Sequence, residues 1–136
     1  MNTVFKKLGI LAVALSVSTP AVALQPLHEN PTVVSGFYAL GVAELVRRNC
    51  DDISPRYLRA YRYLRALEKY ALDAGYSPAQ IDELTDNREE KQKLKLRIEA
   101  DLAKRGATAE TPQGYCTVGR EEIAKNSAAG RLLRAK

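Results

Sequence analysis

The sequence predicts an all-α fold, a small four- to five-helix bundle held by one disulfide and preceded by a cleaved signal peptide. Three observations carry this reading. A helix-start signal of one design recurs, with a capping side chain followed by proline: Asn30 with Pro31, Ser54 with Pro55, and Ser77 with Pro78. No stretch alternates with period two for long enough to make a strand. The two cysteines, Cys50 and Cys116, stand 66 residues apart behind an export signal.

Residues 1–23 have the three parts of a secretory signal. Lys6 and Lys7 lead, an apolar run covers 8–17, and Ala21, Val22 and Ala23 form a small-x-small cleavage site. The run is far short of the roughly 20 residues that span a bilayer, and no cysteine follows the cut to carry a lipid. The expectation is a periplasmic protein with residues 24–136 as its single helical domain and no transmembrane segment after cleavage. Lys6 and Lys7 supply part of the formal charge of +5, so the mature chain is mildly cationic. A charge that weak names no partner.

Residues 24–29 hold Pro26 and no periodicity, and read as a loose arm. Asn30 caps, and Pro31 takes the first position of a helix running to about Arg48. Over residues 33–46 only Ser35 and Glu44 are polar, so this helix is apolar nearly all round and belongs at the centre. Gly36 and Gly41 cost it propensity and leave room for a neighbouring helix. Arg47 and Arg48 suit the negative end of its dipole.

Ser54 and Pro55 then start a second helix that stops at Gly75, with Tyr57, Tyr61, Leu64, Leu67 or Glu68, and Ala71 as its core stripe. Ser77, Pro78 and Gln80 spell a capping box for a short third helix to about Thr85, offering Ile81 and Leu84 to the core. Asp86 and Glu89 cap a fourth helix to Arg105, or that helix runs straight on from the third; Gly106 ends it. Its apolar stripe of Leu94, Ile98 and Leu102 is narrow. The opposite face is a solvated charge run paired as Glu89 with Lys93, Lys95 with Glu99, and Arg97 with Asp101. After a loop over 107–114, Thr117 caps a last helix to about Asn126. Gly130 interrupts the tail, where Leu132 and Leu133 dock.

An oxidising compartment makes Cys50 and Cys116 a disulfide, joining the turn after the first helix to the turn before the last. A loop of that length is worth on the order of 4 kcal/mol in the chain-entropy model. A redox or metal site fails on spacing, because there is no C-x-x-C and His28 is the only histidine. Catalysis needs a nucleophile or a metal with a base beside it, and no such set is visible. His28 lies in the arm, and Glu44, an acid in an apolar helix, has Arg47 and Arg48 three and four residues on. The expectation is therefore a non-enzymatic protein with no catalytic residues, metal or cofactor.

Arg56, Arg59, Arg62 and Arg65 recur every three residues with Tyr57, Tyr61, Tyr63 and Tyr70 among them. Such steps wind the arginines across about half of a helix. The mixture suits nucleic acid or a protein interface, and export argues against nucleic acid. The candidate partner-binding residues are Arg59, Arg62, Tyr63 and Tyr70, on an otherwise solvated basic face.

Several runs resemble a known family: Cys50 to Ser54, the turn at Gly75, Tyr76 and Ser77, and the C-terminal series Cys116, Gly119, Arg120, Glu122, Ile123, Ala124, Gly130, Arg131, Leu132, Leu133 and Arg134. They are similar to small secreted alphaproteobacterial proteins carrying a domain of unknown function, over nearly the whole mature chain. Members of that family are sometimes labelled as a subunit of NADH dehydrogenase. The iron–sulfur subunit to which that label points needs four cysteines for its cluster, and this chain has two. The resemblance implies no catalytic residues. Two functions fit: a periplasmic binding or accessory protein with a protein partner, such as an envelope or respiratory membrane complex, and a periplasmic holdase-type chaperone.

Overall fold

The side chain of Asn30 accepts the backbone N–H groups of Thr32 and Val33 at 3.0 and 3.2 Å, and Pro31 follows at the first helical position. Helix α1, Pro31–Asn49, is the axle of the molecule. The computed structural model describes residues 23–136, so the expected signal segment lies outside the described residues but for Ala23. Around α1 are placed strand β1 (Ile53–Pro55), α2 (Tyr57–Asp73), α3 (Pro78–Asp86), α4 (Arg88–Lys104), α5 (Gln113–Ala124) and strand β2 (Leu133–Ala135). Single 3₁₀ turns at Leu27–Glu29 and Gly130–Leu132 precede α1 and β2. Over the described residues the fold is all-α with five α-helices, within the four to five that the sequence predicts.

The main core forms where α1 meets α4, α5 and the tail. Val42, Val46, Ile98, Leu102, Val118 and Leu133 are all buried there. Gly41 faces Ile98 and Gly36 faces Leu67, and a Cβ on either glycine would collide with that side chain. This is the close approach for which the sequence spends helix propensity. A smaller cluster of Leu27, Val33, Ala71 and Tyr76 closes the other end. Cys50 ends α1 and is bonded to Cys116, as expected, but Cys116 lies inside α5 and not ahead of it.

Several boundaries depart from the sequence reading. Ser54 and Pro55 do not open α2; they belong to β1, which pairs antiparallel with β2 through Ile53 with Ala135 and Pro55 with Leu133. A three-residue strand is too short to show alternation, so periodicity could not reveal this ladder. Helix α2 starts at Tyr57 without a side-chain cap, and the backbone N–H of Arg56 donates instead to Leu132 O at 2.7 Å. Thr117 does not cap α5, which begins four residues earlier; its hydroxyl donates back to Gln113 O at 3.3 Å.

Helices α3 and α4 are separate. Asn87 adopts an extended conformation between them and caps α4 by accepting from Glu90 N at 3.0 Å, the role expected of Asp86. The Ser77 and Gln80 capping box forms as written. The N-terminal arm is not loose: Leu27 is buried, and the Tyr76 hydroxyl donates to Gln25 O at 2.9 Å. Tyr57 and Tyr61, expected in the core, are 70% and 62% exposed, while Ala71 is the one fully buried residue of α2. The inward face of α2 is instead Ala60, Tyr63, Leu67 and Ala71, smaller on average than the tyrosine stripe.

Candidate functional site

Helix α2 carries the arginines and tyrosines that the sequence singles out. At 3.6 residues per turn, Arg59, Arg62 and Tyr70 fall on one flank and Tyr57, Tyr61 and Leu64 on the other. Arg59 and Arg62 are exposed, and Arg59 Nη1 reaches Arg131 O at 3.4 Å. The neighbouring side chains of Thr32 and then Asn30 lower the Tyr70 pKa, which places its hydroxyl near the start of α1. Tyr63 is half-buried and packs against the main core, so of the four candidates it is the least available to a partner. On the other flank Tyr57, Tyr61 and Leu64 leave apolar surface in water, and Leu58 does so on the outer face. Solitary exposed apolar residues are ordinary, but a contiguous set is not.

That flank borders a cleft which the sequence reading did not foresee. Its floor is the N-terminal half of α1, at Val33, Val34 and Phe37; Leu64 forms one wall, Leu94 and Arg97 of α4 the other, and Leu84 and Thr85 of α3 close one end. It measures about 450 Å³, and a second lobe of about 330 Å³ beneath Tyr61 and Ile81 shares Val33, Phe37, Leu64 and Leu84 with it. The cleft exists because α1 is apolar on more sides than its neighbours cover. The rim is polar: His28, Glu90, Lys91, Lys93 and Arg97.

The rim charges are unevenly spent. Lys93 lies 2.8 Å from Glu89 and 2.9 Å from Glu90, and those hydrogen bonds raise its pKa. Arg97 was expected to pair with Asp101. Instead Asp101 accepts from the Tyr38 hydroxyl at 3.0 Å and from Lys104 at 3.2 Å, and the Arg97 guanidinium lies over the Tyr38 ring, 5.5 Å from its centroid. Among the described residues, no carboxylate lies within ion-pairing distance of Lys91 or Arg97.

Among the described residues, the remaining titratable groups are engaged as follows. His28 is exposed on the rim, 3.7 Å from Glu29. Burial pushes the Glu44 carboxyl up, but hydrogen bonds from Arg47 and Arg48 outweigh it and hold the pKa below its ordinary value. Cys50, Asp52 and Cys116 cluster at metal-ligand range, yet both sulfurs are consumed in the disulfide and offer no thiolate.

A family model described as a family of unknown function, DUF5333, matches residues 25–134. The chain belongs to DUF5333. Among the described residues of this DUF5333 protein the match takes in every helix, both strands but for Ala135, the disulfide and the cleft. No curated protein and no solved structure matches it. No helix among the described residues of the DUF5333 chain is long and apolar enough to cross a membrane.

Proposed function

We propose that this protein is an exported, non-enzymatic binding or accessory protein of the periplasm that docks on a protein partner, such as an envelope or respiratory membrane complex, through α2. One observation carries the reading: α2 is buried along only one narrow face, and sets exposed arginines beside exposed tyrosines and leucines. Arginine and tyrosine supply a large share of binding energy at protein interfaces. The docking residues are Arg59, Arg62 and Tyr70 on one flank, with Tyr57 and Tyr61 added from the other.

Capture from periplasmic extract with the purified protein tests this. Arg59→Ala with Arg62→Ala leaves the fold intact, because exposed arginines add little stability, and weakens capture of one defined partner by about fivefold or more. A folded double variant that captures the same proteins in the same amounts would sink the proposal. The exposed apolar residues of α2 also favour a second reading, a holdase-type chaperone. In that case many clients are retained and their aggregation is suppressed.

A further inference from the structure

We propose that the cleft over α1 is a ligand site for a single-chain anionic amphiphile of the long-chain fatty-acid class, independent of partner docking by α2. Its apolar tail lies along Val33, Val34, Phe37, Leu64, Leu84 and Leu94, and its carboxylate meets the α4 rim at Lys91 and Arg97.

The cleft volume of about 450 Å³ falls within the range of roughly 300–1,000 Å³ usual for small-molecule sites. Its lining holds two neutral hydrogen-bonding side chains, His28 at the rim and Thr85 at one end. An extended peptide would leave its own N–H and C=O groups unpaired there, which is costly in an apolar setting. A partner helix satisfies those groups internally but is about 10 Å across, whereas a flexible hydrocarbon chain is far slimmer and has no such groups to satisfy.

Charge fixes the head. Glu89 and Glu90 share Lys93 and keep one negative charge between them, while Lys91 and Arg97 make no ion pair among the described residues and add two positive charges. The uncompensated charge at the cleft mouth is thus positive, and a carboxylate there gains charge-assisted hydrogen bonds while the tail leaves water.

Titration of the purified, disulfide-intact protein with palmitate below its micelle concentration tests the site, with hexadecanol as the neutral control. One equivalent of palmitate is expected to bind saturably, and affinity across a series of shorter acids to rise about three- to fourfold per methylene. Val34→Trp fills the cleft without adding charge and should weaken palmitate by more than about tenfold. Lys91→Glu with Arg97→Glu should weaken palmitate about tenfold or more and leave hexadecanol unchanged. Should the tryptophan fail to fold by its melting curve, the Lys91→Glu single variant at an exposed position retains the test. Absence of saturable palmitate binding, undiminished binding in folded Val34→Trp, or equal loss of acid and alcohol in the charge-reversed variant would each overturn the assignment. Partner capture by Arg59 and Arg62 is unaffected by any of these outcomes.

Discussion

Cys50, the residue that ends α1, is bonded to Cys116 inside α5, with their Cα atoms 5.1 Å apart and both side chains buried. The bond locks the central helix to the element that carries Val118 and Gly119 into the core. Non-reducing peptide mapping should recover this pair. Cys50→Ala should lower stability by about 2–5 kcal/mol, read from denaturant midpoints together with slopes, which should rise as the unfolded chain loses its cross-link.

The tyrosines divide sharply by position. Tyr57→Ala and Tyr61→Ala should each change stability by less than about 0.5 kcal/mol, since both rings stand in water. Tyr76→Ala should cost about 3 kcal/mol or more. Its ring is 3% exposed, and its hydroxyl links Gln25 to Asn30.

These contrasts show what the sequence could carry. Caps were legible where a side chain closes its own helix, as Asn30 and Ser77 do, because the signal and its effect lie within three residues. Ser54 and Pro55 carried the same local signal, but the C-terminal tail arrives from almost eighty positions away and claims them for a ladder. Tyr57 and Tyr61 misled for a related reason: helical spacing names a stripe, and only the neighbouring helices decide whether anything covers it. Of the four residues named on α2, the exposure of Arg59, Arg62 and Tyr70 was legible from that helix alone, and the turn of Tyr63 toward the core was not. Nor was the cleft, since its residues come from three helices besides α2; the one trace of it in sequence is that α1 is apolar on more sides than a small bundle can cover.

Acid should act partly through Glu44. Its pKa is held below the ordinary 4.5 by Arg47 and Arg48, so the folded state binds its proton less readily than the unfolded state. The stabilisation is therefore fully present above about pH 4.5 and is lost as pH falls through the depressed folded value. Glu44→Gln should flatten that acid limb. At neutral pH it should cost less than about 1 kcal/mol, because the pair is partly open to water and screened. An acid limb identical to wild type would exclude this ion-pair cluster as a contributor.

Gly130 should not tolerate a side chain. A Cβ there would strike the Glu122 carbonyl, so the backbone of the tail rests directly on that of α5. Gly130→Ala should destabilise by about 1–3 kcal/mol, a loss visible as a lower melting temperature. Since the Ser127 hydroxyl accepts from Gly130 N at 2.9 Å, Ser127→Ala should produce a smaller loss of about 1 kcal/mol at the same junction.

The pairing of β1 with β2 sets the order in which the molecule can fold. Ile53 leaves the ribosome long before Ala135, its ladder partner. At about 5–20 residues per second, synthesis leaves Ile53 and Val46 uncovered for several seconds before Leu132 and Leu133 emerge. Closure of the core therefore waits on the tail, and the nascent chain spends that interval in a state open enough to be threaded or held.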